Sequence, residues 1–128
     1  MADIIQLAEA VAKEVEGDLM FAPELDLKGI KEMRIIVAPA GLGSKPISRG
    51  ASEDTLKVQV GVLKKCTEDE IVDLINTVTS IGKSFLDREL AGATCMHIEY
   101  NPLYDPVHLR ERRQFTGVVE LTFKAISR

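Results

Sequence analysis

The sequence has few of the residue types on which catalytic, metal-binding and secreted-protein chemistry depend. Its 128 residues contain no tryptophan, two cysteines and two histidines, and aromatic residues make up only 5%. Two cysteines are too few for a disulfide scaffold, so they indicate a reducing compartment in which each thiol acts as a small hydrophobe. No apolar run approaches the roughly 18 residues that a membrane span needs. A basic segment followed by an apolar one is also missing from the amino terminus, so no signal peptide is expected.

The residues that are present are typical of one globular domain, and we expect residues 1–128 to form it. Apolar residues make up 45% of the chain, which is enough to build a core. The net charge of −4 argues against a tight nucleic-acid binder, because such proteins usually carry a basic face. An acidic protein still lets DNA slide past, since DNA is held mainly by neutralisation of its phosphates.

Apolar residues at helical spacing predict two helices. The first is expected from Asp3, a suitable N-cap residue, to about Glu16. The second is expected to begin at a capping box formed by Thr67 and Glu70, and to end near Glu89–Ala91.

Alternating and β-branched runs predict the strands. They are expected over Asp18–Pro23, Met33–Ala38, Asp54–Lys64, Thr94–Glu99 and Gln114–Ile126, with Asp26–Glu32 as a connector. In the last of these, Phe115, Val119, Leu121, Phe123 and Ala125 face one way. This order of elements predicts an α+β fold, a mainly antiparallel sheet of four to five strands with two helices packed on one face.

Two segments read as long loops. Pro39–Ser52 holds three glycines and two prolines. It contains Gly43-Ser44-Lys45 but lacks the spacing of a phosphate-binding loop. It is either a flexible excursion from a hairpin or a loop that orders against a partner, and its length slightly favours the partner.

The segment Tyr100–Glu111 carries both tyrosines and two prolines, and it leads into the densest basic cluster. It reads as a rigid, exposed arm. The arginines Arg110, Arg112 and Arg113 form either a solvated turn or an ion-pair site between subunits, and the sequence leaves both readings open. Tyrosine is itself enriched at interfaces, which supports the second reading.

The sequence predicts no catalytic residue, metal site or cofactor. His97 and His108 lack the spacing of metal ligands. Cys66 precedes a helix, where a thiolate is favoured, but no base accompanies it in the sequence. There is no G-x-S-x-G nucleophile elbow. We therefore do not expect an enzyme.

Several motifs resemble those of small phage head–tail joining proteins, a family that includes tail terminators, tail completion proteins and minor tail proteins. The resemblance covers roughly Asp26 to Ile126. It rests on Asp26-Leu27-Lys28, Ile35-Ile36-Val37-Ala38-Pro39, Ser48-Arg49-Gly50, Lys57-Val58-Gln59-Val60-Gly61-Val62, and the closing run Tyr100-Asn101-Pro102-Leu103-Tyr104-Asp105-Pro106, Leu109 and Arg113-Gln114-Phe115-Thr116.

The resemblance implies an α+β subunit that assembles with copies of itself into a ring, typically a hexamer. The ring would cap the tail tube protein in the virion, face the head–tail connector protein and pass DNA through its bore without specific binding. Such a family has no active site to carry over, and the two loops become candidate contacts. The candidate contact residues are Lys45, Arg49, Tyr100, Tyr104, Arg110, Arg112 and Arg113. The alternatives are another neck protein, such as a head-completion stopper, and a small enzyme or ligand-binding protein.

Overall fold

Helices and strands both contribute to the fold, as expected for the α+β class. The computed structural model describes residues 3–21 and 32–127. Within these residues the helices are α1 (Ile4–Val15), α2 (Ile71–Phe85) and α3 (Pro106–Arg112). The strands are β1 (Asp18–Leu19), β2 (Arg34–Ser48), β3 (Ala51–Lys65), β4 (Glu89–Leu90), β5 (Ala93–Tyr100) and β6 (Gln114–Ser127).

The strands form one six-stranded sheet in the order β1-β2-β3-β6-β5-β4. The sheet is mixed, because β1 lies parallel to β2 while the other neighbours are antiparallel. The predicted number of four to five strands was wrong, since the two-residue strand β4 at one edge was not expected. Of the strand predicted over Asp18–Pro23, only β1 forms among the described residues. Most of the predicted connector Asp26–Glu32 lies outside the described residues.

Helices α1 and α2 pack on the same face of the sheet, which we call the core face. Buried residues of α1, including Leu7 and Val11, pack with Leu56 of β3 and Phe123 of β6. Buried residues of α2 pack further along the same face, where Val78 meets the cluster around Phe115 and Val62. The inward direction predicted for the final strand is confirmed, because its side chains from Phe115 to Ala125 on this face are all buried.

The loop predicted over Pro39–Ser52 is wrong, because this segment is the distal half of a β-hairpin. Strand β2 continues to Ser48, and β3 starts at Ala51, leaving only Arg49 and Gly50 in the turn. Gly50 has a φ of 78°, a conformation that favours glycine. The two prolines are tolerated because β2 has no partner strand on its outer side beyond Val37 among the described residues. The glycines and prolines that suggested a loop therefore belong to an edge strand and its turn.

The start and end of α2 also differ from the prediction. The side chain of Thr67 caps no helix, and Glu68–Glu70 form a single 3-10 turn, so the Thr67 half of the predicted capping box is missing. Glu70 does reach back to the backbone of Thr67, and it also accepts a hydrogen bond of 2.7 Å from Lys64 at the end of β3. The helix ends at Phe85, before the predicted Glu89, because the chain turns back there to pair with β5.

A short helix, α3, lies inside the segment predicted as the loop Tyr100–Glu111. Asp105 is its N-cap, and its carboxylate accepts hydrogen bonds from the backbone N–H groups of Val107 and His108 at 2.9 and 3.2 Å. Pro106 occupies the first turn, where its missing N–H costs nothing. The arm is therefore a helical insertion that returns the chain to β6.

Candidate contact surfaces

The first candidate surface is the hairpin tip, which we define as residues 42–50. Every residue of the tip is exposed, including the aliphatic Leu42 at 64% and Ile47 at 48%. Lys45 lies 3.7 Å from the carboxylate of Glu53 across the hairpin. Arg49 sits in the turn and makes no hydrogen bond or ion pair with any described residue. The tip therefore offers apolar and basic side chains that the subunit itself does not cover.

A buried carboxylate joins the strands near the base of this tip. Asp54 is only 4% exposed and accepts hydrogen bonds from the hydroxyls of Ser44, at 2.7 Å, and Ser52, at 3.3 Å. Ser127 at the end of β6 also donates to it. The hydrogen bonds from Ser127 and Ser44 lower the pKa of Asp54, because they stabilise the charged form. The network connects β2, β3 and β6 near the base of the hairpin tip.

The second candidate surface is a groove between the start of α2 and α3, which we call the α3 groove. Its volume is about 510 Å³. Apolar or weakly polar side chains line part of it, and Arg110 and Arg113 line another part. The groove is closed at its base by a backbone hydrogen bond of 2.9 Å from Cys66 N–H to the carbonyl of Arg113. The lining residues are Cys66, Thr67, Glu68, Tyr104, Pro106, Leu109, Arg110 and Arg113.

The structure thus brings together three of the predicted contact residues, Tyr104, Arg110 and Arg113, and separates them from Lys45 and Arg49. The hairpin tip and the α3 groove lie at opposite ends of β3, which spans 15 residues, so they are roughly 45 Å apart at the usual strand rise. The candidate residues form two surfaces instead of one.

Arg112 and Tyr100 do not line the α3 groove. The carbonyl of Arg112 accepts a hydrogen bond of 3.2 Å from the Lys65 ammonium, which links α3 to the end of β3. Tyr100 is half-buried against α2, and its hydroxyl donates to the carbonyl of Thr79 at 2.9 Å. Burial raises the pKa of this phenol. Its hydroxyl is therefore already engaged within the subunit.

The surroundings of the two cysteines and of His108 bear on reactivity and on metal binding. Both cysteines are free and buried, and burial raises the pKa of each thiol, which disfavours a reactive thiolate. The Nδ1 atom of His108 lies 2.9 Å from the hydroxyl of Thr116. Among residues 3–21 and 32–127, no group of three or more histidine, cysteine, aspartate or glutamate side chains is placed to hold a metal ion.

The sequence interpretation missed two parts of these surfaces. Asp54 was read only as the start of a strand, although an acid among serines near a chain reversal suggests local hydrogen bonding. The helix α3 was missed although Asp105-Pro106 is a typical helix start. The contribution of Cys66 and Glu68 to the groove depends on the pairing of Lys65 with Gln114, which no local pattern reveals.

No protein-family model matches this chain, and no curated protein matches it.

Within residues 3–21 and 32–127, no helix is both long enough and apolar enough to cross a membrane.

Proposed function

We propose that this chain is a ring-forming structural subunit of a long-tailed phage, a tail terminator that caps the tail tube and joins it to the head. The observation that carries the proposal is the hairpin tip at the end of the sheet. Its nine residues, 42–50, are all exposed, and they include two large aliphatic side chains. Apolar side chains left uncovered next to charges are typical of a surface that is completed by another protein.

The proposed partners are further copies of the chain, the tail tube protein and the head–tail connector protein. The basic residues Lys45 and Arg49 favour a negatively charged contact on the tube for the hairpin tip. In this proposal the subunit assembles in the host cytoplasm and is retained in the neck of the virion.

The passage of DNA is supported by the face of the sheet opposite the core face. Its lysines are balanced by acids, with Lys57 3.6 Å from Glu120, and Lys124 3.3 Å from Glu53. A surface with alternating charges releases few counterions from DNA, so it favours sliding over gripping. This fits a bore that DNA traverses without specific binding.

The test is capping of tubes polymerised from the tail tube protein. Purified wild-type protein should stop tube elongation and appear as a ring at tube ends in negative-stain images. The double variant Lys45→Glu and Arg49→Glu should lose capping, because it reverses the charge of the hairpin tip. The matched control Lys13→Glu and Lys83→Glu changes net charge equally at exposed helix positions and should cap normally.

Two outcomes would contradict the proposal. If the wild-type protein binds the head–tail connector but never tube ends, the stopper alternative replaces the terminator. If the hairpin-tip variant and its control cap tubes equally well, the hairpin tip is not the tube contact.

A further inference from the structure

The α3 groove has a charge that the subunit leaves unpaired. Arg110 and Arg113 make no side-chain hydrogen bond or ion pair with any residue among 3–21 and 32–127. Two guanidinium groups on one groove can hold carboxylates through paired N–H donors. Glu68 on the same groove reduces the net charge of its lining to +1. The groove therefore suits an apolar side chain accompanied by acids.

A segment with this chemistry lies elsewhere on the same chain, in the turn after α2. We call it the acidic knob and define it as residues Leu86–Glu89. Leu86 is 45% exposed, and the carboxylates of Asp87 and Glu89 form no hydrogen bond or ion pair with any described residue. Arg88 is already engaged, because it lies 3.1 Å from Glu14. The knob thus presents one aliphatic side chain and two uncompensated negative charges.

The acidic knob is held in place before any partner arrives. Its backbone is tied to β5 by hydrogen bonds of 2.9 Å, from Asp87 N–H to the carbonyl of Cys95 and from Cys95 N–H to the carbonyl of Arg88. The guanidinium of Arg88 also lies 5.7 Å from the centre of the Phe85 ring. A preformed segment loses little conformational entropy on binding, which favours association.

The groove and the knob cannot meet within one subunit. The groove lies at the start of α2 and the knob at its end, and 15 helical residues separate them by roughly 20 Å. Two different patches that complement each other produce a head-to-tail contact between copies. Such contacts close into a ring when the rotation between copies divides a full turn.

We propose that Leu86 of one copy inserts into the α3 groove of the next copy, where Asp87 and Glu89 pair with Arg110 and Arg113. The occupant of the groove is therefore a second copy of this chain. This contact deepens the proposed function, because it names the surfaces by which the ring would close, and it rests on that function for its biological purpose. It predicts that copies associate through side-chain surfaces at the two ends of α2.

Disulfide trapping tests this contact directly, because Thr67 lines the groove and is exposed, whereas the neighbouring thiol of Cys66 is buried. The variant that combines Leu86→Cys with Thr67→Cys places one thiol at the tip of the knob and another on the groove. Mild oxidation above pH 8 should give a ladder of covalent multimers on non-reducing gels. The ladder should vanish when either substitution is made alone. A matched control, Ile5→Cys with Thr67→Cys, places the first thiol at a helix position of similar exposure, 37% against 45% for Leu86, and should give no ladder.

Charge reversal supplies an independent measurement. Asp87→Lys with Glu89→Lys, or Arg110→Glu with Arg113→Glu, should each reduce trapping by about tenfold or more, because like charges then face each other. Mixing one variant of each kind should restore trapping between the two chains. Failure of this rescue, or a ladder that persists without Thr67→Cys, would overturn the proposed contact.

The same samples separate this inference from the proposed function. If wild-type protein caps tubes but the variant with Leu86→Cys and Thr67→Cys forms no multimers, the contact is wrong and the terminator function stands. If the multimers form while tubes remain uncapped, the contact stands and the terminator function is wrong.

Discussion

Gly82 in α2 is predicted to be a position where the smallest enlargement destabilises the protein. A Cβ atom added there would lie 2.6 Å from the hydroxyl oxygen of Tyr100 and 3.0 Å from two atoms of its ring. Tyr100 cannot retreat freely, since its hydroxyl donates to the carbonyl of Thr79 at 2.9 Å. The variant Gly82→Ala must therefore shift either the helix or the ring.

The sign of the effect follows from three magnitudes. Alanine in place of glycine stabilises a helix interior by about 1 kcal/mol. Overpacking costs about 1–3 kcal/mol, and losing the Tyr100 hydrogen bond costs about 1 kcal/mol more. The net expectation is a loss of about 1–3 kcal/mol in the free energy of unfolding. For a domain of this size that lowers Tm by roughly 4–12 °C.

A double-mutant cycle with Tyr100→Phe isolates the contact. Removing the hydroxyl eliminates the closest approach, so the double variant should be more stable than the sum of the single effects by about 1 kcal/mol. Urea and thermal unfolding of the four proteins measure this coupling. Ser80→Ala, exposed on the same helix, controls for helix propensity and should not lower stability. Additive effects, or a Gly82→Ala protein as stable as wild type, would refute the reasoning.

Two further predictions concern the core and the buried carboxylate. Phe123→Ala should lower the free energy of unfolding by about 3–5 kcal/mol in urea titrations, because Phe123 is completely buried. The control Phe21→Ala, at a position that is 69% exposed, should change this free energy by less than about 0.5 kcal/mol. The hydroxyls of Ser127 and Ser44 hold the pKa of Asp54 below 3.8, so its contribution to stability is complete above that pH and is lost as the pH falls further. Asp54→Asn should therefore reduce the loss of stability between about pH 4 and pH 2, measured as the denaturant midpoint at each pH. The same loss in the variant as in the wild type would contradict the role of the network.

The parts of the fold with strong local periodicity were predictable from the sequence. The stripes of α1 and α2 and the alternation in β3 and β6 each agree with the packing that the structure shows. These patterns predict the elements because one face of each helix or strand is buried and the other is exposed to solvent.

The parts that failed depend on position in the sheet. The distal half of β2 has the glycines and prolines of a loop, but its place at the edge of the sheet tolerates them. Only part of the α3 groove could be predicted from the sequence, because the rest depends on which strands pair. Tyr104 and Arg113 could be guessed from composition, whereas Cys66 reaches them through the register of β3 with β6, a contact between segments about 50 residues apart in sequence. Tyr100 and Tyr104 are both tyrosines, a residue type that is enriched at interfaces, but Tyr100 packs against α2 within the subunit.

The composition of β2 also bears on how copies would associate in the proposed ring. Its outer side has no partner strand beyond Val37 among the described residues, so addition of another copy by edge-to-edge pairing must be considered. Pro39 and Pro46 lie in this strand and supply no backbone donor, and prolines on an edge strand oppose such pairing. Assembly through the β2 edge of the sheet is therefore disfavoured, which favours side-chain surfaces for the proposed contact between copies. The proposed contact between the α3 groove and the acidic knob uses such surfaces at the two ends of α2, and it leaves the hairpin tip uncovered for the proposed tube contact.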